Sequence, residues 1–202
     1  MKNDDVEILE RKPAYRGYGR IDRYRLRHRL HDGGVSRAID REVYDRGHVA
    51  AVLPYDPVRD CVVLIEQFRI GAYLAGMRPW QTEAVAGIID SGETPEEVAR
   101  REAKEEADLE IRELVPLYRY LVSPGAITET VALFIGLVDS ASAGGVHGLP
   151  DEGEDIKVTV VPVSELAGMI EDGRIGNVLT IAAIQWLLLY RDKLRASWRT
   201  KG

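Results

Sequence analysis

The chain has 202 residues, 45% of them apolar and 30% charged, which is room for one substantial core with at most a small appendage. A net charge of −6 argues against nucleic acid as a large partner, because phosphate backbones want a positive surface, but it leaves room for a small phosphorylated ligand. Cys61 is the single cysteine, so no intrachain disulfide can form and a reducing compartment is expected. It lies in the apolar run Cys61-Val62-Val63-Leu64-Ile65, the setting of a small core residue rather than a nucleophile.

The opening Met1-Lys2-Asn3-Asp4-Asp5 is charged and unlike a signal peptide. Ile181 to Tyr190 is too short to span a bilayer. A soluble, cytoplasmic protein is expected. From Ile21 to Leu30 the residues alternate, with Arg23, Arg25, Arg27 and Arg29 on one side and Tyr24, Leu26, His28 and Leu30 on the other. That period of two predicts a half-buried strand. Asp32-Gly33-Gly34 is a turn signal, and Val35 to Tyr44 reads as the returning arm. The arginine row is expected to be a solvated or subunit-contacting face; anion binding is the sharper alternative.

His48 to Pro54 and Cys61 to Glu66 read as apolar strands joined by a turn at Asp56-Pro57. Further strands are predicted near Gln81 to Ala86, Leu117 to Val122, Thr130 to Val138 and Asp155 to Val161. Helices are predicted over Pro95 to Ala107, Val163 to Glu171 and Asn177 to Arg195. This irregular interleaving implies an α/β protein with a mixed sheet flanked by helices. A modest boundary near Gly47 divides residues 1–47, a small antiparallel β subdomain, from residues 48–202. The stretch Asp139 to Gly153, with its acidic exit Asp151-Glu152-Gly153-Glu154-Asp155, is long enough to be a lid.

The most informative stretch runs from Gly87 to Leu109. Thr94-Pro95-Glu96-Glu97 spells a capping box with proline at the first helical position, so a helix starts at Pro95. On it Glu102, Glu105 and Glu106 share one face, while Ala99, Ala103 and Ala107 form a small-residue stripe that lets the helix sit close to a sheet. Between Glu93 and Glu110 eight acidic residues face Arg100, Arg101 and Lys104, a local charge of −5. Physics alone leaves two readings open, a solvated acidic face and a site for a hard divalent cation.

The spacing itself is distinctive. Gly87, five residues, Glu93, seven residues and then Arg101-Glu102-Ala103-Lys104-Glu105-Glu106 resembles the signature of the Nudix hydrolases. Asp108 departs from it, standing where the family has glycine; a left-handed conformation, which aspartate tolerates better than most residues, is expected there. The resemblance implies an α/β/α sandwich and attack of water on a phosphorus of a nucleoside diphosphate linked to another moiety. It implies magnesium, with manganese as the alternative, held by Glu102 and Glu106, with Glu105 in the same cluster and the carbonyl of Ala86 as an added ligand. Glu93 and Arg101 resemble the pair that braces loop against helix.

Pro124, fifteen residues beyond Leu109, resembles the mark of the ADP-ribose pyrophosphatase branch. Tyr15-Arg16-Gly17-Tyr18, Arg46-Gly47-His48, Leu64-Ile65-Glu66-Gln67-Phe68-Arg69 and Asp151-Glu152-Gly153-Glu154-Asp155-Ile156 also look like the bacterial members of that branch. That likeness implies Glu152 as base and Glu154 as additional metal ligand, or the reverse, with Glu105 a second acidic group at the reaction. It implies Arg69 and Arg41 on phosphates, Tyr18 stacked on adenine, Glu129 near the pocket, and a homodimer formed through the N-terminal strands. His48 and His147 read as structural or surface histidines. Rival readings are a related sugar-nucleotide hydrolase, such as one acting on GDP-mannose, and a Nudix-like ligand sensor.

Overall fold

The computed structural model describes residues 5–149, 151 and 153–199. The chain forms two compact units, Met1–His48 with Tyr120–Thr130, and Val49–Arg119 with Val131–Gly202.

The first unit is built on a three-stranded antiparallel sheet of β1 (Val6–Arg16), β2 (Arg20–His28) and β3 (Ile39–Asp45), in that order. β2 and β3 are the expected hairpin arms, and the arginines of β2 are its exposed row. β1 was not expected. Its register slips between Ile8 and Glu10 and again between Pro13 and Tyr15, and each slip moves side chains to the other face. Asp22 is buried on the inner side of β2, where Arg11 Nη2 (2.5 Å) and Arg16 Nη2 (2.5 Å) both donate to it. Those hydrogen bonds hold its carboxyl below the usual range against the opposing effect of burial.

The second unit carries β4 (Val49–Asp56), β5 (Cys61–Phe68), the short helix α1 (Ile70–Leu74), β6 (Trp80–Glu83), β7 (Val85–Ile88), α2 (Pro95–Ala107), β8 (Glu113–Leu121), β9 (Thr130–Leu137), β10 (Gly145–His147), β11 (Ile156–Pro162), a 3-10 turn at Val163–Glu165, α3 (Leu166–Glu171) and α4 (Val178–Arg199). The sheet order is β10-β11-β5-β4-β9-β8, with β6 added to β5 and β7 to β4. β4 and β9 run parallel, whereas β4–β5, β5–β11 and β10–β11 are antiparallel. The sheet is therefore mixed, as expected.

β4 and β5 pair directly only at Tyr55↔Val62 and Asp56↔Cys61. Beyond that they splay, and the gap is filled by β7, paired with Val49 to Val52, and β6, paired with Ile65 to Phe68. The single strand expected over Gln81 to Ala86 is thus two short strands that break at Ala84, where the chain steps from one partner to the other. The break is fixed from the last helix: Thr180 Oγ1 accepts the N–H of Ala84 at 2.8 Å, and Asn177 Nδ2 donates to the carbonyl of Thr82 at 3.0 Å.

Alternation along the strands sorts the core into two layers. Val52, Val63, Ile65, Val85 and Phe134 pack with Ala99, Ala103 and Ala107 of α2, whose small side chains permit the close approach. Leu53 and Tyr55 point the opposite way along β4, and there Tyr55 meets Trp198 of α4 at 6.2 Å between ring centroids. Helices on both sheet faces make the unit an α/β/α sandwich. Among the described residues no helix is long and apolar enough to cross a membrane.

Asp56 closes the β4–β5 turn. It accepts the N–H groups of Val58 (2.9 Å), Arg59 (3.1 Å) and Ser140 (3.1 Å), the Ser140 hydroxyl (2.8 Å) and Arg59 Nη1 (2.7 Å). The stretch Asp139 to Gly153 is not wholly irregular, since β10 lies inside it and pairs with β11 beyond it.

Candidate active site

α2 begins as the sequence dictates. Thr94 Oγ1 accepts the N–H of Glu97, and the Glu97 carboxylate returns to the N–H of Thr94 at 2.8 Å. It ends on Asp108 at φ 52° and ψ 38°, the left-handed conformation expected for that position. Thirteen residues of helix between these two caps carry the acidic face across the splayed end of β4 and β5.

Glu106 is the most enclosed of the three acids, only 3% exposed. Its Oε2 accepts the N–H of Ala86 at 3.2 Å, and Gln67 Nε2 from β5 approaches Oε1 at 3.5 Å. Burial pushes the Glu106 carboxyl up to about 8; the charge of Glu102 adds to the rise, the Ala86 N–H opposes it, and Glu154 raises it further. Glu102 is shifted in the same direction by burial, with Arg101 opposing and Glu105 and Glu154 reinforcing. The charge of Glu154 thus bears on both Glu102 and Glu106, and that of Glu102 on Glu106 as well.

Gly87 makes this crowding possible. A Cβ on it would lie 1.7 Å from Glu102 Oε1 and 2.1 Å from the carboxyl carbon, so no larger residue leaves the Glu102 side chain where it is. The first residue of the signature is thus a space requirement.

Arg101 organises the rim. Nε and Nη2 grip the two oxygens of Glu93 at 3.1 and 3.3 Å, Nη2 reaches the carbonyl of Ile88 at 3.4 Å, and Nη1 donates to Glu102 (2.8 Å) and Glu105 (3.1 Å). Glu93 also accepts the N–H of Asp90 at 3.1 Å. Loop, helix start and acidic face are joined through one guanidinium, which is the geometry of a brace. Burial works against the arginine's charge, but Glu93, Glu102 and Glu105 outweigh it and raise its pKa further.

Among the described residues no three carboxylate, imidazole or thiol groups are already gathered around a single point. Glu102 and Glu105 turn toward Arg101 instead, and Glu154 Oε2 accepts the N–H of Leu149 at 2.9 Å. The donor set nevertheless suits a hard divalent cation. It offers oxygen donors, carboxylates foremost, in a partly desolvated cluster whose mutual repulsion a 2+ charge would relieve.

At the edge of this cluster Arg69 binds Glu83 Oε2 through Nε (3.1 Å) and Nη2 (2.8 Å). It lies close enough to Glu106 to favour that residue's charged form. Nothing in the sequence alone assigns a role to Gln67 or Glu83. Gln67 carries a local signal, a polar side chain ending an apolar strand, whereas Glu83 becomes legible only once β5 and β6 are paired.

Tyr18, Arg41 and Glu129 belong to the first unit. Tyr18 is 82% exposed, and Arg41 is exposed with Nη1 on the carbonyl of Asp40 at 2.8 Å. Glu129 is 5% exposed and ion-paired with Arg46. His48 Nδ1 accepts the N–H of Thr130 at 3.2 Å, a structural contact. Glu152, the candidate base, lies outside the described residues.

Residues 45–182 match the NUDIX domain family. The chain is 48% identical over 195 residues to an ADP-ribose pyrophosphatase of Escherichia coli (strain K12), a match covering 96% of this chain and 93% of the relative. It is 41% identical over 202 residues to an ADP-ribose pyrophosphatase of Haemophilus influenzae, covering 98% and 93%. A GDP-mannose pyrophosphatase of Pectobacterium atrosepticum is 35% identical over 202 residues, covering 98% of each chain. A solved structure of an ADP compounds hydrolase, 20% identical, covers 98% of each chain at a TM-score of 0.71 and shares the fold.

Proposed function

The chain belongs to the NUDIX family, and on that premise we propose that it hydrolyses the pyrophosphate bond of ADP-ribose to AMP and ribose 5-phosphate with the help of a divalent cation. The observation that carries the reading is the enclosed Glu106, tied to the Ala86 N–H and crowded by Glu102 and Glu154. Such a group favours a cation over solvent as its partner. The substrate follows the 48% and 41% identical relatives, both named ADP-ribose pyrophosphatases.

In this reading Glu102, Glu106, Glu154 and the carbonyl of Ala86 hold magnesium, or manganese in its place. The cation's contribution is to polarise phosphoryl oxygens, neutralise developing charge and lower the pKa of water. Glu152 receives the proton of the water that attacks phosphorus, and Glu105 is the second acidic group at the reaction. As the new P–O bond forms, the bridging P–O bond breaks and its oxygen leaves on the other phosphate. Arg101 and Glu93 keep the acidic face in place. Arg69 and Arg41 meet the phosphates, Tyr18 stacks on adenine, and Glu129 borders the pocket. Residues 1–47 form a β subdomain for substrate contact and dimerisation, and residues 48–202 form the hydrolase domain. β1, exposed along its whole length, supports a homodimer through the N-terminal strands. The buried free thiol of Cys61 suits the cytoplasm.

The test compares hydrolysis of ADP-ribose and GDP-mannose by the purified protein in magnesium, with products identified and a chelator control. Preference for ADP-ribose, and loss of turnover by orders of magnitude in Glu106→Gln with the fold intact, is the expected result. A large preference for GDP-mannose would transfer the assignment to the activity named for the 35% identical relative. Binding without turnover of either compound would point to a sensor and end the hydrolase reading.

A further inference from the structure

Glu83 is a carboxylate whose position needs a reason. Its side chain is 14% exposed, while that of its ion-pair partner Arg69 is 46% exposed. Both donated hydrogen bonds fall on the same oxygen, Oε2. A half-solvated ion pair adds little to stability, and withdrawing a carboxylate from water opposes folding. The pair is therefore a poor stabilising device.

As an orienting device it is well made. Arg69 stands one residue beyond the end of β5, with its N–H on the carbonyl of Pro79 at 2.8 Å. Glu83 lies four residues further along, at the inner end of β6, opposite Ile65. The arginine side chain must therefore reach back along β6 toward the acidic cluster, and a long side chain holds such a pose only when anchored. Glu83 takes Nε and Nη2, and Nη1 is left without a hydrogen-bond acceptor among the described residues. The anchor is itself fixed, because the next residue, Ala84, is held by Thr180 and the one before it, Thr82, by Asn177.

We propose that Glu83 is a positioning residue: it holds the Arg69 guanidinium at the mouth of the Glu102–Glu106 cluster so that a free N–H faces the phosphate of a nucleoside diphosphate substrate. This rests on the substrate reading given above and adds a residue to it. Glu83 touches no reacting atom; it acts through Arg69, by lowering the reorganisation needed on binding.

A double-mutant cycle tests it, using Glu83→Ala, Arg69→Ala, the double variant and Glu83→Gln. KM and kcat are measured for ADP-ribose with magnesium, and ADP-ribose affinity is measured by titration calorimetry with the metal chelated. Thermal melting controls for folding. Each single alanine variant should raise KM about tenfold or more with a much smaller change in kcat, and should weaken calorimetric affinity by a similar factor. The double variant should be no worse than Arg69→Ala, because the anchor has nothing left to hold. Glu83→Gln, which keeps one acceptor oxygen, should recover part of the loss. Effects of Glu83→Ala and Arg69→Ala that multiply would overturn the proposal, as would an unchanged KM in Glu83→Ala. Should the wild-type protein hydrolyse no nucleoside diphosphate sugar, the functional reading falls and this inference with it. Wild-type hydrolysis with independent effects removes the role of Glu83 alone.

Discussion

Gly87 and Glu102 stand so close that one further carbon on the glycine would sit 1.7 Å from the glutamate's Oε1. Gly87→Ala should therefore drive the carboxylate out of the cluster while leaving the backbone able to fold. We expect kcat to fall about 100-fold, in line with the sensitivity of reacting geometry to displacements near 1 Å. Circular dichroism and melting should stay near wild type. Full activity in a well-folded Gly87→Ala protein would show that Glu102 has no fixed place in the chemistry.

Asp56 offers a pH prediction. Burial alone would raise its carboxyl, but the N–H groups of Arg59 and Ser140 and the side chains of both residues outweigh burial and hold it far below the ordinary range. A depressed folded-state pKa contributes stability that is present above the unfolded value, near 3.9, and is lost as pH falls below it. Asp56→Asn cannot accept all five donors, and should cost about 2–3 kcal/mol at pH 7. Urea unfolding at pH 7 and pH 3 should show the gap to wild type narrowing at the lower pH. A gap of constant size would mean that charge plays no part.

Asp108 separates conformation from chemistry. Its left-handed backbone at φ 52° makes Asp108→Gly close to neutral, within about 1 kcal/mol, since relief of strain offsets a more flexible unfolded chain and a lost surface contact with Lys104. Asp108→Val should be destabilised by about 1–2 kcal/mol, because branching at Cβ disfavours positive φ. Both variants should keep kcat within about twofold, read in the same steady-state assay. Loss of activity in the glycine variant would refute a purely conformational role.

What the chain reveals before folding is whatever depends on neighbours a few residues apart. The Thr94–Glu97 box, the stripe Ala99-Ala103-Ala107, the acidic face and the left-handed stop all lie within one helix, and each is found where expected. The β2–β3 hairpin is also local in this sense, since a turn and two alternating arms describe it.

The remaining features arise from pairings that no short window contains. β1 hides because its two register slips break the period of two on which strand recognition relies. The divide between β6 and β7 is invisible because no glycine, proline or other turn residue marks a stop between Gln81 and Ala86; only the splay of β4 from β5 decides that they part at Ala84. α1 is five residues long with no side-chain cap to announce it. Glu83 and Arg69 are fourteen positions apart and meet only through the β5–β6 register.

The bond from Ala84 to Thr180 spans 96 positions of sequence. It stitches the seam between two short strands to the opening turn of the last helix, and Ala86, whose peptide steadies the buried acid, is just two peptides away. Edits to that opening turn, remote by residue count from every carboxylate discussed, would tug on the same thread that keeps the acids in register.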